Sequence, residues 1–125
     1  MNQVLPSESL NYHVRAATPA DVEIIVAFNR SMAQETEAKN LAVDLVRPGV
    51  RTVVENPTLG RYFVACRAGA VVGQLMITTE WSDWRNGQIW WIQSVYVRPD
   101  HRRRGVFRSL YRHVEAVARD RKSVV

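Results

Sequence analysis

The sequence predicts an α/β domain in which a mixed, mainly antiparallel sheet is flanked by helices on both faces. Helix signals stand near both ends of the chain, and three apolar strands separated by short turns lie between them. Short turns join antiparallel neighbours, because parallel strands need a long crossover. Residues 89–92 are apolar at every position, so their strand needs cover on both faces. The predicted order of elements is β-α-α-β-β-β-α.

The first half of the chain contains a strand, predicted over residues 13–17, and two helices. Thr18 suits a helix N-cap, Pro19 the first helical position and Asp21 the first turn, so a helix is expected from there to about residue 38. A second helix is predicted over residues 44–55. The side chains expected on the buried helix faces are Val22, Ile25, Val26, Asn29 and Met32, then Leu45, Val50, Val53 and Val54.

The second half contains three strands and a helix. The strands are predicted over residues 61–67, 71–80 and 89–97, with Asn86 and Gly87 forming a type I′ turn between the last two. The closing helix is predicted over residues 106–121. Its sheet-facing side chains are expected to be Phe107, Leu110, Val114 and Val117.

An arginine-rich turn leads into that last helix. The strand ending at Val97 is followed by three consecutive arginines, by Gly105 and then by the helix. A helix start carries unpaired N–H groups and a partial positive charge, and a glycine lets a phosphate group approach them closely. The order of residues therefore predicts a site for a phosphorylated cofactor. The alternative is a solvated helix entry, which is what most charged runs are.

The order strand, Arg-x-x-Gly-x-(Gly or Ala), helix is present as Arg102-x-x-Gly105-x-Phe107, and it resembles the acyl-CoA-binding motif of the GNAT (Gcn5-related) N-acetyltransferases. The resemblance implies a GNAT-like fold, acetyl-CoA as acyl donor, and an amine of a small molecule or protein as acceptor. Phe107 departs from the motif, so its side chain either crowds the diphosphate or turns into the core. The implied cofactor-binding residues are Val95 and Val97 for the pantetheine arm, and Arg102, Arg103, Arg104, Gly105, Val106, Phe107 and Arg108 for the pyrophosphate.

The chemistry that the resemblance implies is transfer of an acetyl group from a thioester to an amine. The attacking ammonium must first lose a proton, and Glu80, at the end of a strand, is the predicted catalytic base. Asp83 is a second candidate, although a turn role suits it better. A main-chain N–H near Val95 is expected to meet the oxyanion.

For several other residues the sequence allows either a functional or a purely structural role. The family's arrangement puts the first helix over the substrate cleft, so Asn29, Glu35 and Thr36 either face the acceptor or are plain surface. His101 and His113 lack a partner pattern, so we interpret both as surface histidines, and no metal site is predicted. Four tryptophans either wall an acceptor pocket or pack in the core and hairpin: Trp81, Trp84, Trp90 and Trp91.

The net charge of +5 is concentrated in one segment. Residues 98–122 contain nine basic and three acidic side chains, a net charge of +6, and the remaining residues carry −1. A nucleic-acid-binding face is usually broader and interleaved with aromatic residues. The pattern favours a compact polyanion such as a nucleotide-like cofactor. A CoA-binding but catalytically deficient fragment and a basic nucleic-acid-binding module stay open as alternatives.

Composition indicates the class of protein. The 125 residues are 46% hydrophobic and 23% charged, and they are predicted to form one acetyltransferase-like domain with an N-terminal extension over residues 1–12. Cys66 is the only cysteine, so neither an internal disulfide nor a cysteine-based zinc site is expected. Residues 1–10 do not resemble a signal peptide, and no apolar run is long enough to span a bilayer. We therefore expect a cytoplasmic protein without a membrane partner.

The C-terminal end of the sequence affects two predictions, the general acid and the oligomeric state. In the resembled family the domain continues with a strand, a helix and a strand, which usually supply a tyrosine as general acid. The sequence stops at Val125, so the predicted fold is C-terminally truncated and no general acid is assigned. Apolar sheets that lack cover tend to pair with another chain. We expect a homo-oligomer, with residues 123–125 lending a strand.

Overall fold

A computed structural model describes residues 11–125, and its elements follow the predicted order. The α/β fold is confirmed. Residues 1–10, to which the signal-peptide argument and most of the predicted extension belong, lie outside the described residues. The strands are β1 (His13–Ala16), β2 (Arg61–Arg67), β3 (Ala70–Ser82) and β4 (Gly87–Val97), and the helices are α1 (Val22–Glu37), α2 (Val43–Glu55) and α3 (Val106–Asp120).

The four strands form one antiparallel sheet in the order β1-β2-β3-β4. A parallel bridge joins Val124 to Ile89 at the outer edge of β4. Trp90 N donates to Val124 O over 2.7 Å, and Val124 N donates to Gln88 O over 3.2 Å. The tail at Val124 therefore pairs with its own sheet, which becomes mixed at this edge, and does not lend a strand to another copy, which was the expectation from the sequence.

The two hairpins are built differently from the prediction. Ala68 and Gly69, with φ of 52° and 80°, form the two-residue turn between β2 and β3, and positive φ at both positions is the type I′ requirement. The type I′ turn predicted at Asn86 and Gly87 is wrong. Because β3 and β4 pair as far as Gly87, residues 83–86 form a four-residue loop, in which Asn86 has a positive φ of 51°.

Helices cover both faces of the sheet, as predicted. On one face α3 buries Leu110 and Val114 against Phe63, Leu75 and Ile77. On the other face α1 and α2 pack on alternate residues of the strands. The buried residues of this second cluster are Val22, Ile25, Val26, Val50, Tyr62 and Val64. No helix within residues 11–125 is both long and apolar enough to cross a bilayer.

Two residues expected in the core are exposed instead. Leu45 is 76% exposed and Phe107 is 44% exposed. In α2 the packed stripe runs through Val46 and Val50, so Leu45 lies off it. In α3 the buried stripe begins at Val106. Phe107 is the next residue, which the helical turn places beside this stripe and toward solvent.

The approach of α3 to the sheet is close at Gly73 in β3. A Cβ placed on this glycine would lie 2.6 Å from Val106 Cγ1 and 3.3 Å from Tyr96 O. Real Cβ atoms essentially never come within 3.0 Å of another heavy atom, so only glycine fits here without a shift. The first turn of α3 thus rests directly on the backbone of β3, beside the end of β4.

Candidate active site

The segment between β4 and α3 is a tight turn that we call the arginine turn, residues 98–105. It begins with a short 3-10 helix, Pro99–His101, and ends at the N-cap of α3. Arg103 and Gly105 have φ of 63° and 89°. A side chain is strained at such angles, so glycine is the suitable residue at the point where α3 begins.

The start of α3 suits an anion. Ser109 N donates to Gly105 O over 3.0 Å and makes the first helical bond, so the N–H groups of residues 106–108 have no helical carbonyl to bind. Acidic residues are favoured in a first helical turn, because they complement the helix dipole. The first turn of α3 contains none, and Arg108 lies in it instead. This arrangement favours a negatively charged ligand.

Two of the arginines in the turn are already paired. Arg98 binds Asp100 over 2.7 Å, and Arg102 binds Glu35 of α1 over 2.9 Å. Among residues 11–125, no carboxylate lies within 4.0 Å of the guanidinium groups of Arg103, Arg104 or Arg108. Three cations thus remain available near the helix start.

A cleft of about 580 Å³ lies over the arginine turn. Phe107 was expected either to crowd the diphosphate or to turn into the core. Its side chain is partly exposed at the wall of the cleft, and its ring centroid lies 6.1 Å from that of Tyr111. Val95 and Arg104 do not line the cleft. The cleft brings together seven of the nine predicted cofactor residues: Val97, Arg102, Arg103, Gly105, Val106, Phe107 and Arg108.

Strand β4 carries a bulge just before the turn. Met76 pairs with Gln93 and Gln74 pairs with Tyr96, so two residues of β4 oppose one of β3. Ser94, the first residue of the bulge, has a φ of 54°. A bulge bends its strand and redirects side chains and main-chain groups. Here it interrupts the β4 edge beside Val95, where the oxyanion donor is predicted.

A buried polar network lies behind the bulge. Gln74 Nε2 donates to Asn29 Oδ1 over 2.8 Å and to Ser94 O over 3.1 Å, and Asn29 Nδ2 donates to the Tyr62 hydroxyl over 3.1 Å. Gln74 is fully buried, and its Oε1 atom has no hydrogen-bond partner among residues 11–125. Burial raises the pKa of Tyr62, so its hydroxyl is neutral at neutral pH. The network is therefore uncharged.

A cavity of about 510 Å³ opens on this network between the two helices, and we call it the α1–α2 cavity. Asn29, Tyr62 and Ser94 line its polar part, and Thr36 lines it as one of the predicted acceptor-facing residues. Glu37 and Lys39 also line it, and their side chains are largely exposed. The apolar lining consists of Met32, Ala33, Leu41, Val46 and Val50.

The sequence profile of the acetyltransferase (GNAT) family matches residues 27–124. The chain belongs to the GNAT acetyltransferase family. A possible acetyltransferase from Clostridium difficile 630 is 38% identical, with a TM-score of 0.84 over 91% of this chain and 75% of that chain. No curated protein shows significant similarity to the chain.

More distant solved structures share the GNAT fold. The integron cassette protein HFX_CASS3 from the mobile metagenome of Cole Harbour Salt Marsh is 23% identical, with a TM-score of 0.82 over 89% of this chain and 74% of that chain. A predicted acetyltransferase from Clostridium acetobutylicum, solved with acetyl-CoA, is 17% identical, with a TM-score of 0.72 over 92% of this chain and 81% of that chain.

In this GNAT domain Glu35 joins α1 to the arginine turn. Its carboxylate accepts from the Tyr96 hydroxyl over 2.6 Å and from Arg102 Nη2 over 2.9 Å. Arg102 Nε also donates to Val97 O over 2.8 Å, and its guanidinium lies 5.3 Å from the Tyr96 ring centroid. The bonds from Tyr96 and Arg102 lower the pKa of Glu35, so it is charged at neutral pH. Glu35 therefore binds the turn and does not line the α1–α2 cavity.

The structure does not bring Glu80 to the arginine turn. Glu80 lies six residues along β3 from Gln74, roughly 20 Å at about 3.4 Å per residue. Its Oε1 atom accepts from Trp91 Nε1 over 2.7 Å. No measurement tests the catalytic role of Glu80, which stays a prediction.

Of the four tryptophans of this GNAT domain, only Trp90 follows the packing interpretation. Trp90 is buried in the cluster under α3, whereas Trp81, Trp84 and Trp91 are exposed on the β3–β4 hairpin. None of the four lines the α1–α2 cavity. The acceptor-pocket reading of the tryptophans therefore has no support in this geometry.

The two histidines are more enclosed than predicted. His101 lines the cleft, and its Nδ1 atom lies 3.1 Å from the Tyr12 hydroxyl. His113 packs 5.5 Å from the ring centroid of Phe63, and burial, with nearby Arg61, lowers its pKa. Within residues 11–125 no group of three or more His, Cys, Asp or Glu side chains is placed to hold a metal ion.

Sequence reasoning missed Gln74 and Tyr62. A signal for Gln74 was available, because it is the one polar side chain in the apolar run 71–77 of a buried strand. Buried polar groups need partners, so such a residue marks a specific polar contact. Tyr62 carried no comparable signal, since tyrosine is common in half-buried strands.

Proposed function

We propose that the chain is a cytoplasmic N-acetyltransferase that transfers an acetyl group from acetyl-CoA to an amine. The observation that carries the proposal is the arginine turn, which places open N–H groups, positive charge and Gly105 at the start of α3, next to a bulged edge strand. The diphosphate of CoA fits these donors. Val95, in the bulge, and Val97, beyond it, would lie along the pantetheine arm.

The proposed reaction is a direct transfer. The amine nitrogen forms a bond to the thioester carbon, and the carbon–sulfur bond breaks. The sulfur keeps the electron pair as the CoA thiolate, which then takes up a proton, while the attacking nitrogen releases one. A main-chain N–H at the bulge is suited to stabilise the oxyanion, because the bulge directs main-chain groups away from the β3–β4 ladder.

The proton acceptor has two candidates. Glu80 is the sequence-based proposal, but its carboxylate lies far along β3 from the bulge. The polar network at Asn29, Tyr62 and Gln74 contains no carboxylate, but Asn29 and Tyr62 line the α1–α2 cavity, which is open to water. We favour release of the proton to water at the α1–α2 cavity.

The test combines binding and turnover. Acetyl-CoA at a hundredfold excess over its Kd should stabilise the fold by ~2.7 kcal/mol, measured as a thermal shift. Mass spectrometry should then detect an N-acetylated product and an equal amount of free CoA thiol. Binding without turnover on a broad amine panel would support the CoA-binding alternative. A salt-sensitive complex with RNA or DNA, without any response to CoA, would support the nucleic-acid alternative.

We also propose that the chain forms a homo-oligomer. Strand β2 pairs with β3 only as far as Ile77, so residues 78–91 continue as a β3–β4 hairpin, which Val124 joins at residues 88–90. This hairpin exposes Trp81, Trp84 and Trp91, and Trp84 is 94% exposed. By the β3–β4 register Trp81 and Trp91 lie on opposite faces of the hairpin, so each face offers an exposed ring for contact with another copy.

Light scattering across a hundredfold dilution tests the oligomer. The wild type should have at least twice the monomer mass, and Trp84→Ser should lower it, whereas Arg85→Ser in the same loop should not. A monomer mass for the wild type at every concentration would refute self-association.

A further inference from the structure

We propose that the α1–α2 cavity takes a primary amine with a single charge and an apolar body, such as an alkylamine or an arylalkylamine. This inference rests on the proposed acetyl transfer and specifies its acceptor. Polycationic amines and lysine-rich peptide tails are the classes that the cavity excludes.

The position of the cavity makes it accessible to the acyl donor. Ser94 lines the cavity and is the first residue of the β4 bulge, and Val95, which follows it, is predicted to face the thioester. An amine seated against Ser94 would therefore approach β4 at the point where the acetyl group is expected. The cavity and the cleft over the arginine turn meet β4 at residues 94 and 97.

The charge of the cavity excludes a polycation. Its lining contains one carboxylate, Glu37, and that group lies 3.9 Å from Lys39 Nζ. The other carboxylates of α1 do not line the cavity and are paired, Glu35 with Arg102 and Glu23 with Arg47. A second or third ammonium would lose its hydration without meeting an unpaired negative charge.

The shape and polarity of the cavity favour an apolar body. Five apolar side chains form its walls, the charged Glu37 and Lys39 are largely exposed, and one hydrogen-bond network joins the neutral polar groups of Asn29, Tyr62 and Ser94. One nitrogen can bind at the neutral polar side, and carbon attached to it would then lie against Met32 and Val50. Burial of each added methylene should raise kcat/KM about fourfold while room remains.

The first experiment uses matched amines. We expect kcat/KM to rise about fourfold per carbon from propylamine to hexylamine. Heptylamine and 1,6-diaminohexane have nearly the same shape, and the diamine should be at least tenfold poorer. A flat alkyl series, or a preference for the diamine, would overturn the proposal.

The second experiment changes the cavity. Gly49 lines it within α2, and a Cβ at Gly49 would meet no atom within 4 Å. Gly49→Leu should therefore narrow the cavity while it favours the helix. It should lower kcat/KM for hexylamine about tenfold and leave propylamine nearly unchanged. Arg51→Leu, at an exposed position of the same helix, is the matched control.

Two binding measurements separate this inference from the proposed function. Acetyl-CoA binding is followed by thermal shift, and heptylamine binding to the free protein is followed by calorimetry. Heptylamine binding without any response to acetyl-CoA would contradict the proposed function alone. Acetyl-CoA binding with neither binding nor acetylation of heptylamine would overturn the acceptor inference alone.

Discussion

The arginine turn and the α1–α2 cavity differ in charge and in how the chain builds them. The cleft over the turn is lined by residues from one short segment, 97–108, and is strongly cationic. The cavity draws residues from 29 to 94, on two helices and two strands, and its floor is neutral. Residues that are neighbours in the chain form a motif that can be recognised in the sequence. Residues that meet only in the folded protein leave no such pattern. This difference explains why the proposed donor site was easier to infer from the sequence than the proposed acceptor site.

The largest expected effect belongs to the arginine turn. Gly105→Val should weaken acetyl-CoA binding at least a hundredfold, because a β-branched residue is strained at a φ of 89° and its side chain blocks the approach of the phosphate. Thermal shift with acetyl-CoA measures this. Gly69→Val is the matched control, since Gly69 has a φ of 80° in a turn between other strands. Equal ligand shifts in the wild type and in Gly105→Val would contradict the assignment of the turn.

A smaller effect is expected where α1 touches the turn. Glu35→Gln should raise the Kd for acetyl-CoA about two- to fivefold, because the partly exposed Arg102 loses its charged partner. Isothermal titration calorimetry measures this change. Glu37→Gln, which removes a carboxylate two residues further along, is the control and should leave the Kd unchanged.

The pH dependence of this contact follows from the pKa of Glu35. Tyr96 and Arg102 lower that pKa, so the ion pair is complete above the ordinary glutamate value of about 4.3 and is lost as pH falls through the lowered value. The ratio of the two Kd values, variant over wild type, should therefore stay constant between pH 6 and 8. A tighter complex in Glu35→Gln would mean that the pair holds Arg102 away from the ligand.

The smallest effect is expected at Glu80, far from both sites. We expect Glu80→Gln to change kcat less than twofold and to leave the pH–rate profile unmoved. Steady-state rates from pH 6 to 9 measure this. A loss of about a hundredfold or more, the range of a removed general base, would restore Glu80 as the base and place the acceptor near the hairpin.

Local signals in the sequence were sufficient for most of the fold. Pro19 and Asp21 mark the start of the first helix, and Arg15 and Thr18 N both bind the Asp21 carboxylate over 2.7 Å. Glycines and short turns marked the strands. Which face of each helix is buried was harder to predict, because Leu45 and Phe107 are apolar residues that lie one position away from a buried stripe.

The arginine turn was likewise readable from the sequence, because its residues are neighbours in the chain. The α1–α2 cavity was not, because it depends on pairing between distant residues. The bulge at Ser94 arises from the β3–β4 register. No residue near Ser94 predicts its positive φ. The network of Asn29, Tyr62 and Gln74 forms only when three separate elements meet.

The close contact between Gly73 and Val106 limits which substitutions position 73 can accept. Val106 occupies the space where a Cβ would stand, so an alanine at position 73 would push the first turn of α3 away from the sheet. The N–H groups at the start of α3, which we propose to bind the phosphate, would move with that turn. A substitution inside the sheet is therefore expected to change the proposed cofactor site, and a smaller side chain at position 106 would relieve the contact.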